Sequence, residues 1–421
     1  MRPLKVVSIS SLFPNAAQPA QGVFLEHRLK HLAACDGVEL VVIAPVPWFP
    51  LKHHAFGRYS ACARAPGHET RSGLSVLHPR FLAIPKISAD AAGLLMALAV
   101  APTLAKLIKR GFAVDILDGY YLYPDGVACA LLARWFNLPF VLTAFGSDVS
   151  LIPHAMLPRA QILWATRHAR GLTAVCDALR GGMQAFGIER DRVRVVLHGV
   201  DLTLFDLLED REATRRKLGL HGATLLSAGS LIERKGHHVA ISALQKLPGV
   251  SLLIAGAGPL EKTLREQARE LSVADRVTFL GEVSQERLAE VMGAVDALVL
   301  CSDREGIANV LLEAMACGTA AVATPVWGTP EVMDVPSAGV LTRDRSPGAV
   351  ADGVRALLAS PPSRAAVREH AARFSWAATA DQHFAVLRKA TIGTLPNASG
   401  PLLQPLIQEV SCEQPSSATA T

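Results

Sequence analysis

Ser302-Asp303-Arg304-Glu305-Gly306-Ile307-Ala308-Asn309-Val310-Leu311-Leu312-Glu313-Ala314-Met315-Ala316-Cys317-Gly318 is the stretch whose reading decides the fold. An apolar run, Ala297–Leu300, leads into it, and a second, Ala320–Ala323, leads out. Between them the apolar spacing predicts a helix over Val310–Ala316, so the order is strand, loop, helix, strand. Gly306 lets the backbone approach a ligand closely, and the helix begins near Asn309. The N–H groups freed at a helix start form a natural site for an anion or a hydroxyl. Glu305 then stands in the loop and Glu313 one turn inside the helix. Two carboxylates so placed can each accept hydrogen bonds from hydroxyls such as those of a sugar. An isolated acidic pair at this spacing is usually a capped helix with a solvated glutamate. It is the longer string around the pair that favours a site.

Outward from this segment the same rhythm repeats. Downstream of residue 200, strands are expected at Ala223–Ala228, Ser251–Ala255 and Val277–Leu280, and helices at His237–Leu247, Leu260–Glu270 and Gln285–Met292. Upstream, Lys5–Ser10, Glu39–Ala44, Val114–Leu117 and Phe140–Thr143 read as strands. Phe24–Ala34, Leu94–Lys109, Gly126–Phe136 and Leu157–His168 read as helices. Short apolar strands alternating with amphipathic helices predict α/β layers with parallel sheets. With 421 residues the chain suits two such units, and their boundary falls near His198–Asp201. The expected division is 1–200, 201–375, a closing helix over 376–392 and a disordered Pro-, Ser- and Gln-rich tail over 393–421. Residues 45–88 carry no assignable pattern. Open parallel sheets bind ligands beyond the carboxyl ends of their strands, so two facing units form a cleft for two substrates.

Two further turns carry chemistry. Gly229-Ser230-Leu231-Ile232-Glu233-Arg234-Lys235-Gly236 joins a strand to a helix. Glycine admits a phosphate to the backbone, and Arg234 and Lys235 supply positive charge beside it. Gly256-Ala257-Gly258-Pro259 opens like a dinucleotide fingerprint, but its sixth position is Glu261, which disfavours a dehydrogenase. In the first half, Gly22 follows strand one and brings backbone beside the substrates. No Asp-x-Asp occurs to hold a metal on a diphosphate, and the histidines show no metal spacing. The chemistry is therefore expected to need no metal.

Composition limits the remaining classes. Apolar residues make up 50% and charged residues 19%, which excludes global disorder. The 7 cysteines are scattered and odd in number, as expected of free thiols in a reducing compartment. Lys5–Leu12 reads as a buried first strand and not as a signal peptide. Ala91–Ala101 is shorter than the roughly 20 apolar residues of a membrane span, and a buried helix is expected there. Residues 1–200 hold 21 Lys+Arg against 12 Asp+Glu, and residues 201–421 hold 21 against 25. A basic first half suits an anionic partner such as a membrane surface.

Residues 305–323 resemble the signature of glycosyltransferase family 4, and Gly229–Gly236, Gly256–Pro259 and Gly281-Glu282-Val283 agree with it. Tyr123–Gly126 and Thr143-Ala144-Phe145-Gly146-Ser147-Asp148 resemble the members that build teichuronic acid-type polysaccharides. The resemblance covers roughly residues 4–390. It implies the GT-B fold, two Rossmann-like doubly wound domains facing across a cleft. It implies a retaining, cytoplasmic enzyme that moves a sugar from a nucleotide-diphosphate sugar to a polysaccharide or lipid-linked acceptor, without cofactor or nucleic acid. Lys235, Arg234 and Glu305 are then the catalytic group. Gly229, Ser230, Gly258, Val283, Gly306, Ile307, Ala308, Asn309 and Glu313 bind the donor, with Glu305 on its sugar and Glu313 on its ribose. Gly22, Phe145 and Asp148 face the acceptor. Many members of the family carry His or Arg where Phe145 stands, and Phe neither donates a hydrogen bond nor bears charge. The alternative from another class is therefore a catalytically weak nucleotide-sugar-binding protein.

Overall fold

The computed structural model describes residues 2–19, 21–48, 58–83 and 90–392. Among the described residues the first unit supplies ten strands: β1 (Leu4–Ile9), β2 (Val38–Ile43), β3 (Val46–Trp48), β4 (His68–Arg71), β5 (Leu74–Leu77), β6 (Arg80–Leu82), β7 (Ile116–Tyr120), β8 (Phe140–Ala144), β9 (Gly171–Ala174) and β10 (Val193–Val195). Eight of them form one sheet in the order β10-β9-β8-β7-β1-β2-β5-β4. All its pairs are parallel except the edge hairpin β4–β5, and β3 pairs with β6 in a separate ribbon. The unassigned region 45–88 thus holds the edge hairpin, this ribbon and a short helix, Arg58–Arg64. The central strands β7 and β8 are buried on both faces, so neither alternates apolar with polar residues, and β7 carries the buried Asp118 within it.

The second unit has six strands: β11 (Thr224–Ala228), β12 (Ser251–Ala255), β13 (Val277–Gly281), β14 (Ala297–Leu300), β15 (Ala321–Ala323) and β16 (Gly339–Leu341). Their order is β13-β12-β11-β14-β15-β16, all parallel. In each sheet the direction in which strands are added switches sides, between β1 and β7 in the first and between β11 and β14 in the second. Those reversals are where an open sheet leaves a crevice. The turns after β1, β7, β11 and β14 contain Gly22, Tyr121–Gly126, Gly229–Gly236 and Glu305–Ala308 respectively.

The chain returns to the first unit at its end. Val200 bridges Ser375, and the helix Trp376–Ile392 lies along the helix Val23–Ala33. At its centre His383 Nε2 meets both Asp118 oxygens at 3.1 and 3.0 Å and Tyr120 Oη at 3.1 Å. His383 Nδ1 meets Arg28 Nη2 at 3.3 Å.

One expectation is corrected. The apolar run at Ala91–Ala101 is not a buried helix. The helix Ala92–Lys109 runs on through Pro102 and buries only one face, with Gly93, Met96, Ala97, Val100 and Leu104 inward. Leu94 and Leu98 are 45% and 51% exposed on the outer face. By length and composition this helix could cross a bilayer, but its inner face is part of the core. The tail expected over 393–421 lies outside the described residues.

Candidate active site

The second unit's crevice is built from two turns that lean on each other. After β11 the chain makes a 3-10 turn at Glu233–Lys235, and Gly236 begins the helix His237–Ala243. Gly236 has φ 71°, and a β-carbon there would stand 1.9 Å from the Cys301 carbonyl oxygen. Only glycine lets this turn seat against the end of β14. The seating brings Arg234 and Lys235 to the loop after β14.

There they meet Glu305. Lys235 Nζ donates to Glu305 Oε1 at 2.6 Å and Arg234 Nη1 to Oε2 at 3.1 Å. Ser302 Oγ donates to Oε1 at 2.8 Å, and Arg234 also holds the Arg304 carbonyl at 3.0 Å. The Glu305 side chain is 7% exposed. Burial alone would raise its pKa, but Lys235 and Arg234 outweigh burial and hold the carboxyl below its usual range. The three residues read as separate contacts therefore form one ion-paired cluster.

Glu313 is different. It lies in the helix Asn309–Ala316, partly open to the cleft, and no hydrogen bond to it is found among the described residues. Burial pushes its pKa up to about 7, with Lys235 pulling the other way. Beside it the buried Asn309 Oδ1 has no partner. Ile307 and Ala308 are buried, so they present backbone and little side chain. Gly229 lies against the Lys235 stem, and Gly258 packs on Leu231. Ser230 is exposed at the rim, and Val283 follows β13 at the crevice edge. Beneath the first turn, His237 Nδ1 meets Ser227 Oγ at 2.8 Å and Nε2 meets the Ser230 carbonyl at 3.3 Å. Burial depresses its pKa to about 4, which keeps it neutral.

Across the cleft the first unit comes very close. A β-carbon at Gly306 would stand 2.1 Å from the Phe145 carbonyl oxygen. What faces the Glu305–Ala308 loop is therefore the Phe145 backbone. Its ring is buried, stacked on Tyr120 at 5.8 Å and on His198 at 5.6 Å, and edge-on to Phe24 at 5.2 Å. Asp148 is fully buried. It accepts from Gly146 N at 2.7 Å, Leu122 N at 3.0 Å and Phe145 N at 3.2 Å, so it holds the wall in place from behind. Gly22 caps the helix Val23–Ala33 with φ 67°, tight against Leu12.

Two residues on this side escape a reading of the sequence. Tyr121 has φ 80°, rare for a bulky residue, and its phenol bonds the Ser147 hydroxyl. Asp125 is wholly buried, holds the Ser11 backbone and hydroxyl, and has its pKa pushed up to about 7 by burial. Asp125 falls within a segment quoted above, but nothing in that segment marks its partner more than a hundred residues earlier. Among the described residues no group of three or more His, Cys, Asp or Glu could hold a metal ion.

Two facing doubly wound units with a cation–carboxylate cluster at one switch point define a GT-B-type transferase. The comparisons agree. Residues 210–374 match the family described as glycosyl transferases group 1, and residues 21–204 match glycosyltransferase family 4. The chain belongs to the group 1, family 4 glycosyltransferases and is a glycosyltransferase. It is 28% identical over 335 residues to the teichuronic acid biosynthesis glycosyltransferase TuaC of Bacillus subtilis (strain 168), covering 77% of this chain and 82% of that one. It is 39% identical over 200 residues to D-inositol 3-phosphate glycosyltransferase of Mycobacteroides abscessus, a match spanning 45% of each chain. Among solved structures, Anabaena Alr3699/HepE in complex with UDP-glucose superposes with a TM-score of 0.69 at 20% identity, covering 91% of this chain and 99% of that one.

Proposed function

We propose that this glycosyltransferase takes its sugar from a nucleoside-diphosphate sugar and passes it, with retention and without a metal, to a polysaccharide or lipid-linked acceptor. The carrying observation is the pairing of an occupied carboxylate with an open one: Glu305 clasped by Lys235 and Arg234, and Glu313 unpartnered beside them. The cations suit a diphosphate, and Glu313 suits the two hydroxyls of a ribose. As the acceptor hydroxyl bonds to the anomeric carbon, the carbon–oxygen bond to the diphosphate breaks. The negative charge left on the diphosphate meets Lys235 and Arg234, which are already oriented. The acceptor proton passes to that leaving group. Retention rests on the family resemblance, and a nucleotide-sugar donor is supported by the UDP-glucose complex of the similar fold.

A cytoplasmic site at the inner membrane surface fits the same reading. The first half is basic, and the outer face of Ala92–Lys109 exposes Leu94, Leu98 and Ile108, with Lys106, Lys109 and Arg110 exposed at its end.

The test is thermal unfolding of the chain with UDP-glucose, UDP-galactose, UDP-N-acetylglucosamine and GDP-mannose, each with and without chelator. A donor at a hundred times its Kd should add about 2.7 kcal/mol of stability. One donor should raise Tm equally with and without EDTA, and its turnover should survive EDTA. No shift with any of them overturns the donor assignment. A shift without turnover would favour the binding-protein alternative.

A further inference from the structure

The helix Asp177–Ala185 belongs to the first unit, and its N-terminus points at the second. Its N-cap position is Cys176, which supplies no side-chain hydrogen bond. The first free amides of a helix need an acceptor, and a carboxylate is the best one because it also meets the positive end of the helix dipole. Here the acceptor comes from the other unit. Glu331 Oε2 accepts from Asp177 N at 2.7 Å, and Oε1 accepts from Ala178 N at 2.8 Å. The Asp177 carboxylate is engaged elsewhere, with Arg180 and Arg190.

The turn that carries Glu331 is wedged into the same junction. Trp327 has φ 45° and packs on the same helix, where a β-carbon at Gly182 would stand 3.0 Å from its ring. A β-carbon at Gly328 would stand 2.0 Å from the Gly306 carbonyl oxygen and 2.9 Å from the Cys176 β-carbon. Gly328 N donates to the Glu305 carbonyl at 3.4 Å. One short turn thus touches the first unit on one side and the backbone of the Glu305–Gly306 loop on the other.

We infer that Glu331 is an interdomain latch and a positioning residue for the transfer: its carboxylate holds the cleft shut by capping a helix of the opposite unit, and the same turn sets the Glu305–Gly306 loop. Opening the cleft breaks two charge-assisted hydrogen bonds and lifts Trp327 off Gly182. Closing it restores both and returns the loop to the wall formed by Phe145. The latch rests on this geometry, and the donor reading enters only one arm of its test.

The experiment is amide hydrogen exchange on the full chain, with Glu331→Ala and with Glu331→Gln, which keeps the size and one acceptor oxygen. Exchange at Asp177–Ala178 and at Gly306–Asn309 should speed up about tenfold or more in the alanine variant and less in the glutamine variant, while β14 keeps its protection. The emission of Trp327, read as the difference from a Trp327→Phe background, should shift to the red, and the radius of gyration from X-ray scattering should rise. If only the helix amides speed up, with Gly306–Asn309, Trp327 and the radius unchanged, Glu331 is a local cap and the latch is overturned. Unchanged exchange at both sites overturns it too. If the alanine variant unfolds, the glutamine variant decides by the same readings. UDP affinity is measured in parallel by calorimetry. A wild-type chain that does not bind UDP counts against the donor assignment and leaves the exchange result standing.

Discussion

Lys235, Arg234 and Glu305 share hydrogen bonds, so none can be changed without moving the others. Lys235→Ala removes the 2.6 Å partner of a buried carboxylate and one of the two cations proposed to meet the departing diphosphate. Transfer should fall about 100-fold, or ~3 kcal/mol of barrier, with an unchanged circular dichroism spectrum. Near-normal turnover would remove Lys235 from the chemistry. Glu305 needs a subtler expectation. Resemblance alone confines it to the donor sugar, but its carboxylate is also the counter-charge of the two cations proposed to meet the diphosphate. In Glu305→Gln that competition is gone, so UDP should bind several-fold tighter while turnover collapses. Calorimetry and a rate assay on one preparation read both; weaker UDP binding would show that Glu305 organises the cations more than it competes for them. Glu313 gives a pH signature. Its pKa of about 7 means that it loses its charge as pH falls through neutrality. Hydroxyl groups bond a carboxylate more strongly than a neutral acid, so UDP affinity should drop as pH is lowered from 8 towards 6. Glu313→Gln should bind UDP weakly and flatten that dependence; a slope that persists in the variant assigns the titration to another group.

At the scale of elements, what could be read from sequence depended on whether neighbours along the chain carried the information. Strands such as β8 and β14 are buried on both faces, so a bare apolar run was enough to place them. The turns at Gly229–Gly236 and Glu305–Ala308 were legible because glycine, charge and an adjoining helix start stand together. The helix Ala92–Lys109 was misread for a physical reason. From Ala91 to Ala101 it offers no polar residue to mark an outer face, so a one-sided helix and a buried one look alike. That outer face carries its own prediction. An apolar stripe ending in Lys106, Lys109 and Arg110 suits an anionic lipid surface. Leu94→Glu with Leu98→Glu should weaken co-sedimentation with phosphatidylglycerol vesicles about tenfold or more and leave Tm nearly unchanged, since both side chains are already exposed. Equal sedimentation of variant and wild type would leave the membrane without this contact.

At the scale of the molecule, the decisive pairings join residues more than a hundred positions apart, which no local pattern announces. Glu331 and Asp177 are one such pair, and His383 and Asp118 are another. The returning helix Trp376–Ile392 was legible as a helix, but its anchor was not. Arg28 can only donate, so the His383 Nδ1 that meets it must accept, and the His383 proton sits on Nε2, facing Asp118. The imidazole thus bridges a buried guanidinium and a buried carboxylate, Arg28 at 1% and Asp118 at 0% exposure. Arg28 Nε and Nη1 have no partner, so the cation has little else to hold it. Removing the bridge takes from Arg28 its His383 partner and leaves Asp118 with the Ser8 hydroxyl at 3.4 Å, and a buried charge that loses its partner costs about 3 kcal/mol. His383→Ala should therefore lower the unfolding free energy in urea by about that amount. It should also expose the helix Trp376–Ile392 to proteolysis before either sheet, because this helix is what ties the end of the second unit to the first. His383→Asn, whose amide can accept from Arg28 and donate to Asp118, should recover part of the loss. A fall in the alanine variant no larger than an ordinary surface substitution, with the helix still protected, would mean that apolar packing against Val23–Ala33 holds it and that the buried charges are satisfied without His383.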